Sequence, residues 1–202
     1  LHLRDAQGRV SFGTHWLDGQ VADLFKDNVC RFRLLVGADP GEDSLAVLAR
    51  GGVPELKALR LHNGTIYRWN RACYGITDGK PHLRIENRIM PAGPSTVDEV
   101  ANAALWCGLM VELGAREGDI PRRMDFDQAG ANFYTAAREG LGSHFIWLDG
   151  KDVSAKELVL DKLLPVAEAG LRRQKIDDAD IKRYLGTIDA RVRSARTGAR
   201  WM

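Results

Sequence analysis

Hydrophobic and polar positions alternate along the first part of the chain and recur at helical spacing along the rest. In the first part, residues 1–91, the segments LHLRD and RVSFGTHW flank a turn at Gly8 and predict a hairpin. Residues 18–28 and 44–50 predict two short helices, and RFRLLVG, from Arg31 to Gly37, predicts another strand. The first part is therefore expected to be strand-rich.

The middle of the chain predicts an antiparallel sheet. LKALRLHNGTIYRWNRACYG indicates two strands joined at Asn63-Gly64, a dipeptide typical of hairpin turns. A loop from Thr77 to Pro81 leads into a third strand, HLRIENRIMP, which alternates strictly and stops at Pro91. Its apolar members, Leu83, Ile85 and Ile89, share one face and are expected to pack into the core.

Residues 95–196 show helical periodicity and capping signals, which predict a series of helices. TVDEVANAALWCGLMVELG follows possible caps at Ser95 and Thr96, and DFDQAGANFYTAAREG predicts a second helix. SAKELVLDKLLPVAEAGLRR begins with a capping box and should kink or break at Pro165, and DDADIKRYLGTIDARVRSAR predicts the last helix. The simplest architecture is one α+β domain over residues 1–202, with an antiparallel sheet packed against C-terminal helices.

Composition narrows the class of protein only slightly. The formal net charge is +2, so overall charge gives no case for a nucleic-acid or membrane-surface protein. No stretch approaches the ~18 apolar residues of a membrane span, and the start, which carries no apolar run, is not expected to be a secretory leader. The three cysteines lack metal-site spacing, which favours buried thiols in the reducing cytoplasm. The chain also lacks an initiating Met, a hint that it is a segment of a longer protein.

The strand HLRIENRIMP places three charged side chains, Arg84, Glu86 and Arg88, on one face. A carboxylate is a hard ligand that suits Mg²⁺, and guanidinium groups match phosphate and carboxylate oxygens. This arrangement suits a phosphoryl-transfer site. The alternative is a surface strand whose charges form a ladder of ion pairs, and the pattern alone favours that alternative.

The neighbouring segment HNGTIYRWNR places Arg68 and Arg71 on opposite faces of a strand, so at least one face must be solvated or salt-bridged. Asn63 has a simple explanation as a turn residue, and His62 is more typical of a hydrogen-bonded structural histidine than of a catalytic base. Near the C-terminus, TGAR places small residues beside Arg200, which would let backbone N–H groups approach an anion. As a motif this is weak.

Four segments together resemble the C-terminal half of bacterial glutamate–cysteine ligase-type proteins, the carboxylate–amine ligases related to glutamine synthetase. These segments are LHNGTIYRWNRACYG, PHLRIENRIMPAGPSTVDEVANAALWCGLM, NFYTAAREGL and RTGARW. The resemblance covers essentially the whole chain, and its long middle block is the specific part. It implies a glutamine synthetase-like catalytic fold whose N-terminal half, as a partner within the same protein, supplies the rest of the sheet.

The resemblance also implies an activity and a site. ATP and Mg²⁺ would activate the γ-carboxylate of glutamate as an acyl phosphate, and the amine of cysteine would displace phosphate. Glu86 would be a metal ligand, and Arg88 and Arg71 would contact the phosphate or acyl phosphate. Arg84, Asn63, His62 and Arg200 would bind substrate or phosphate. A lone Glu86 would hold Mg²⁺ poorly, so the segment by itself is expected to have little or no ligase activity.

Two other functions remain open from the sequence. A ligase-like domain without catalysis would bind a nucleotide or a partner protein, although retention of Arg71, Arg84, Glu86 and Arg88 favours the enzyme. A nucleic-acid-binding module on the last helix is disfavoured by that helix's own acidic residues, among them Asp177, Asp178, Asp180 and Asp189. The helices offer candidate interfaces for a homo-oligomer, and no pattern defines its size.

Overall fold

A computed structural model describes residues 8–39 and 41–201, without the side chain of Trp201. Its contacts divide the chain into two units, Leu1–Met90 (unit 1) and Pro91–Met202 (unit 2). The boundary lies where the sequence pattern changes from strand-rich to helical. The architecture is α+β, as the sequence predicts, and the single-domain assignment stays a prediction.

Unit 1 combines short helices with two small sheets. Its elements are β1 Val10–Ser11, α1 Val21–Arg31, α2 Ser44–Ala49, α3 Lys57–Gly64, β2 Tyr67–Arg68, β3 Asn70–Thr77 and β4 Lys80–Asn87. Strand β1 pairs with β2 in parallel, and β3 pairs with β4 in antiparallel orientation. Helices α1 and α3 contact β3, so β3 lies between these helices and β4. Helices α1 and α2 confirm the two short helices predicted from sequence.

Several strand predictions in unit 1 are wrong. Residues 57–64 form helix α3, because the run Lys57-Ala58-Leu59-Arg60 consists of strong helix formers and Asn63-Gly64 ends that helix instead of turning a hairpin. Residues 32–37 form a loop rather than a strand. The N-terminal half of the predicted first hairpin, LHLRD, lies outside the described residues, and only Val10–Ser11 of its second half is a strand.

The apolar face of β4 is also not buried as predicted. Leu83 and Ile85 are each 55% exposed and Ile89 is 39% exposed. The reason is topological: β4 is the outer strand of a two-stranded sheet whose other strand, β3, contacts the helices. The opposite face of β4 carries the charged side chains, and it is the face that builds the candidate site.

Unit 2 is mainly helical and begins where the sequence predicts. Its elements are α4 Thr96–Glu117, a 3₁₀ turn Ile120–Arg122, α5 Phe126–Glu139, a 3₁₀ turn Gly140–Gly142, β5 His144–Ile146, β6 Asp152–Ser154, α6 Ala155–Glu157, a π-helical segment Leu158–Leu163, α7 Leu164–Arg173, α8 Asp178–Ser194 and α9 Gly198–Trp201. Ser95 and Ser154 are confirmed as caps, since the hydroxyl of Ser95 accepts from the N–H of Asp98 and that of Ser154 accepts from the N–H of Glu157. Thr96, the other candidate, is the first residue of α4.

The core of unit 2 lies between α4, α7 and α8. Buried side chains from the three helices form one cluster: Ala101, Leu164, Ala167, Leu171, Ile181, Leu185, Ile188 and Val192. Helices α4 and α7 approach each other at Gly108 and Gly170, where a Cβ on either glycine would lie under 3.0 Å from backbone atoms of the facing helix. At Pro165 the chain does not break, because a π-helical segment directly precedes α7 and the helical path continues.

Among the residues that the structure describes, no helix combines the length and apolarity that crossing a bilayer requires.

One ion pair ties the start of α4 to α8. Arg191 Nη2 lies 2.6 Å from Asp98 Oδ1, and Arg191 Nη1 donates to Asn102 Oδ1 at 2.7 Å. The hydrogen bond from Ser95 and then that from Arg191 hold the pKa of Asp98 below its ordinary value. The side chains of Arg191 and Asp98 are only 18% and 20% exposed, so the ion pair contributes to folding stability.

Asp98→Asn should therefore destabilise the protein in a pH-dependent way. A folded pKa below the unfolded one means that the carboxylate's contribution is complete above about pH 4 and is lost as pH falls through the folded pKa. We expect the free energy of unfolding of the variant to be about 1 kcal/mol lower at pH 7, with the difference shrinking below pH 4. Urea unfolding at several pH values measures this. A difference that stays constant down to pH 2 would contradict the assignment.

Candidate active site

The β3–β4 hairpin brings three pairs of residues together on one face. The chain turns at Asp78-Gly79, both with positive φ (51° and 72°), which is the geometry of a tight two-residue hairpin turn. The resulting register pairs Arg71 with Glu86, Cys73 with Arg84, and Gly75 with His82. These six residues share one face of the hairpin because side chains alternate along each strand.

At one end of this face lies a charged cluster of Arg71, Glu86 and Arg88. Arg71 donates to Glu86 Oε2 through Nε at 2.7 Å and Nη2 at 2.5 Å, and Arg88 Nε lies 3.3 Å from the same oxygen. The guanidinium of Arg88 also stacks over the Tyr67 ring, 4.7 Å from its centroid. Two guanidinium groups and one carboxylate leave the cluster with an excess of one positive charge.

Glu86 is ionised in this setting. Burial alone would raise its pKa, but hydrogen bonding and charge from Arg71, and then from Arg88, outweigh it and hold the pKa of Glu86 below its ordinary value. The contacts recorded for its carboxylate all fall on Oε2. Among the described residues, Oε1 therefore keeps its accepting capacity for a further group.

Helix α3 is anchored beside this cluster by two buried side chains, His62 and Asn63, which are 7% and 5% exposed. His62 Nε2 donates to the carbonyl of Phe32 at 2.8 Å, and Asn63 Nδ2 donates to the carbonyl of Ala72 at 2.8 Å. Arg71 Nη1 reaches the carbonyls of Asn63 and Gly64 at the end of the helix, at 3.3 and 3.4 Å. These bonds hold α3 against β3 and fix the position of Arg71.

The sequence predicts that at least one of the two faces carrying Arg68 and Arg71 is solvated or salt-bridged. This prediction is confirmed, because both arginines form salt bridges. Arg68 pairs with Asp27 at 2.8 Å and donates to Asn28 Oδ1 at 2.9 Å, while Arg71 pairs with Glu86. Only 14% of the Arg68 side chain and 15% of the Arg71 side chain are exposed. The two arginines are thus equally buried, but only Arg71 faces the hairpin's charged surface.

A pocket of about 440 Å³ opens next to the cluster, between α1, α3 and the hairpin. Its charged lining residues are Arg60, Arg71 and Arg84, and its walls include Phe25 and Leu59. The lining includes no Asp or Glu, so the pocket is cationic. Such a pocket attracts anions, and its apolar wall suits the carbon skeleton of an organic one.

Arg60 and His82 line this pocket but are not among the site residues predicted from the sequence. His82 precedes Arg84 by two positions, so alternation along the strand could have placed it on the same face. Arg60 was assigned to a strand, and only the helical conformation of α3 places it one turn before Asn63 and Gly64. A helical reading of residues 57–64 would therefore have found it.

The other predicted site residues are Asn63, His62 and Arg200. Asn63 lines the pocket, whereas His62 points to the Phe32 carbonyl. Arg200 belongs to unit 2, where it is exposed within α9. The binding roles assigned to all these residues stay predictions.

A divalent metal needs several protein ligands close together. No group of three or more His, Cys, Asp or Glu side chains capable of holding a metal occurs within residues 8–39 and 41–201. Glu86 supplies one carboxylate, and the two guanidinium groups beside it repel a cation. Since Mg²⁺ takes its protein ligands mainly from carboxylates, these residues do not form a magnesium site by themselves.

Comparison with known proteins gives a family. The profile described as Glutamate-cysteine ligase family 2 (GCS2) matches residues 47–202, well over half of the chain. No curated protein and no solved structure matches the chain significantly. The chain belongs to glutamate-cysteine ligase family 2, which confirms the family recognised from its motifs, and the matched range includes the entire hairpin with its cluster and most of the pocket lining.

Proposed function

From this family membership we propose that the protein is an ATP-dependent carboxylate–amine ligase that joins glutamate to cysteine through an acyl phosphate. A γ-carboxylate oxygen of glutamate attacks the γ-phosphorus of ATP, and the bond from that phosphorus to the bridging oxygen of ADP breaks. The cysteine amine then attacks the acyl carbon, loses a proton, and expels inorganic phosphate. The product is γ-glutamylcysteine.

The observation that supports this proposal most is the charged cluster beside a cationic pocket. The reaction passes anionic groups between ATP, the acyl phosphate and inorganic phosphate, and arginines stabilise such charge best when their positions are fixed in advance. Arg71 is fixed by Glu86 and by the end of α3, and Arg88 by Glu86 and Tyr67. We assign these two arginines to the transferring phosphoryl group and Arg84 to a substrate or phosphate oxygen.

The described residues alone do not complete a site for magnesium. ATP-dependent phosphoryl transfer uses Mg²⁺ to neutralise phosphate charge, so we keep ATP and Mg²⁺ as proposed requirements of the reaction. Glu86 Oε1 would supply one ligand at most. In the steps above, the chain's own contribution is the pair of fixed guanidiniums, and no step depends on a metal position.

One observation favours a second candidate. Glu86 accepts from both Arg71 and Arg88, so the cluster is also internally satisfied as an ion-pair ladder. A ligase-like domain that binds a nucleotide or a partner without catalysis would keep this ladder for stability. A glutamine synthetase-like fold, a cytoplasmic location and a homo-oligomeric state complete the proposal and rest on the resemblance of the motifs.

Phosphate release from ATP by the full-length protein distinguishes the two candidates. With Mg²⁺ present, the ligase should release phosphate steadily only when glutamate and cysteine are both supplied, and each omission should reduce the rate to background. Replacing cysteine with other amines tests the acceptor. Absence of phosphate release with every amine would favour the non-catalytic domain, and release that ignores both amino acids would contradict the ligase.

A further inference from the structure

The pocket beside the cluster contains two guanidinium groups without a carboxylate partner. Among the described residues, neither Arg60 nor Arg84 forms an ion pair, whereas Arg68, Arg71 and Arg88 each have one. Arg60 comes from α3 and Arg84 from β4, so they line the pocket from two different elements. Two unneutralised positive charges that line one concave surface attract an anion and can donate hydrogen bonds to it.

His82 holds Arg84 in position. Arg84 Nη1 lies 3.2 Å from His82 Nε2, and because a guanidinium can only donate, the neutral imidazole accepts this bond. The contact leaves the other N–H groups of Arg84 available, since it uses Nη1 alone. His82 is therefore a positioning residue, which acts on a ligand through Arg84.

Gly75 provides the space that this pair needs. It lies opposite His82 on the same hairpin face, and a Cβ at position 75 would lie 2.5 Å from Arg84 Nη1 and 2.7 Å from His82 Nε2. Those atoms are the ends of side chains rather than backbone, so a larger residue would displace the pair and spare the strand. The glycine thus keeps the two side chains over the strand surface.

We propose that Arg60 and Arg84, with His82 positioning Arg84, form an anion clamp for a carboxylate or phosphate group of a small organic substrate. The clamp is distinct from the charged cluster, whose arginines are paired with Glu86. Phe25 and Leu59 line the same pocket and provide an apolar surface on which the substrate's carbon skeleton would pack. Assignment of the ligand to the ligase reaction rests on the proposed function, whereas the clamp itself rests on the pocket.

Calorimetric titration of the full-length protein with inorganic phosphate and with glutarate, at low ionic strength, tests the clamp. Arg60→Gln and Arg84→Gln should each weaken binding of the preferred probe by about tenfold or more, since each removes charge-assisted hydrogen bonds. Arg50→Gln is the matched control, because Arg50 is an exposed arginine of unit 1 outside the pocket, and it should change binding less than about twofold. Tighter binding of phosphate identifies a phosphate group as the ligand, and tighter binding of glutarate identifies a carboxylate.

Three further variants test the positioning role. His82→Leu should weaken binding, and His82→Gln, which retains an acceptor, should restore it. Gly75→Ala should weaken binding while leaving the unfolding midpoint almost unchanged. A loss in His82→Leu that His82→Gln does not restore would overturn the role of His82.

Binding requires no turnover, so the clamp and the proposed function can fail independently. A protein that binds a probe through Arg60 and Arg84 but releases no phosphate with any amine retains the clamp and loses the ligase assignment. An active ligase whose probe binding and substrate KM are unchanged in both arginine variants retains the function and overturns the clamp. Absence of binding of either probe by the wild-type protein overturns it as well.

Discussion

Arg71→Lys should lower kcat/KM for γ-glutamylcysteine formation by about 10²–10³-fold, the usual effect of removing one fixed transition-state donor. Lysine keeps the positive charge but loses the planar fork, and Arg71 uses that fork for several contacts at once. Nε and Nη2 bind Glu86 Oε2, and Nη1 reaches the carbonyls that end α3. An ammonium group cannot make these contacts together, so both its own position and that of Glu86 should become less well defined.

Arg68→Lys is the control for this variant. Arg68 is as buried as Arg71, also pairs with a carboxylate, and lies three residues away on the other face. Both variants should lower the free energy of unfolding by about 1 kcal/mol, whereas Arg68→Lys should change kcat/KM by less than about threefold. Steady-state kinetics together with urea unfolding separate the two effects. Equal losses of activity would mean that Arg71 acts through stability alone.

Gly170→Ala should destabilise the protein by about 3 kcal/mol, or roughly 10 °C in Tm. The added Cβ would lie under 3.0 Å from the backbone of Gly108 on the facing helix, and Gly108→Ala would meet the backbone of Ala167 in the same way. Backbone atoms cannot rotate away as side chains can, so α4 and α7 would have to separate. Separation would open the core at Ala101, Ala167 and Leu171.

Gly114→Ala is the matched control, because Gly114 lies on the same helix α4 and a Cβ there meets nothing within 4 Å. In an exposed helical position alanine should stabilise by about 0.5–1 kcal/mol. Thermal unfolding of the three variants compares a buried crossing with an open helix surface. A Gly170→Ala protein as stable as the wild type would show that the two helices cross farther apart.

Local sequence predicted the helices of unit 2 because their signals are local. Ser95 and Ser154 stand directly before helical runs, and a hydroxyl at that position needs only the next turn of backbone to accept from. Helix α3 was missed because its eight residues fit both a helical and an alternating pattern. The helix is held in place by two buried polar side chains, His62 and Asn63. His62 binds the carbonyl of Phe32, which is distant in sequence, and Asn63 binds the carbonyl of Ala72 in β3.

The candidate site was predictable in part for the same reason. Alternation along β4 gives the shared face of Arg84, Glu86 and Arg88, and the Asp78-Gly79 turn, which lies within the predicted loop, sets the register. Thr77 pairs with Lys80 next to the turn. Counting six residues away from the turn along each strand then pairs Arg71 with Glu86. The pocket was not predictable, because it needs Arg60 from a helix that was assigned as a strand.

Oxygen-isotope transfer tests the proposed ligase most directly. The full-length protein is supplied with ATP, Mg²⁺, cysteine and glutamate whose two γ-carboxylate oxygens are both ¹⁸O, and the inorganic phosphate is analysed by mass spectrometry. The acyl-phosphate reaction predicts one ¹⁸O in the phosphate for each γ-glutamylcysteine formed, with both lost together in Arg71→Lys and retained in Arg68→Lys. Phosphate that contains no ¹⁸O while the dipeptide accumulates would contradict the acyl phosphate, and absence of both would leave the charged cluster as a structural ion-pair ladder.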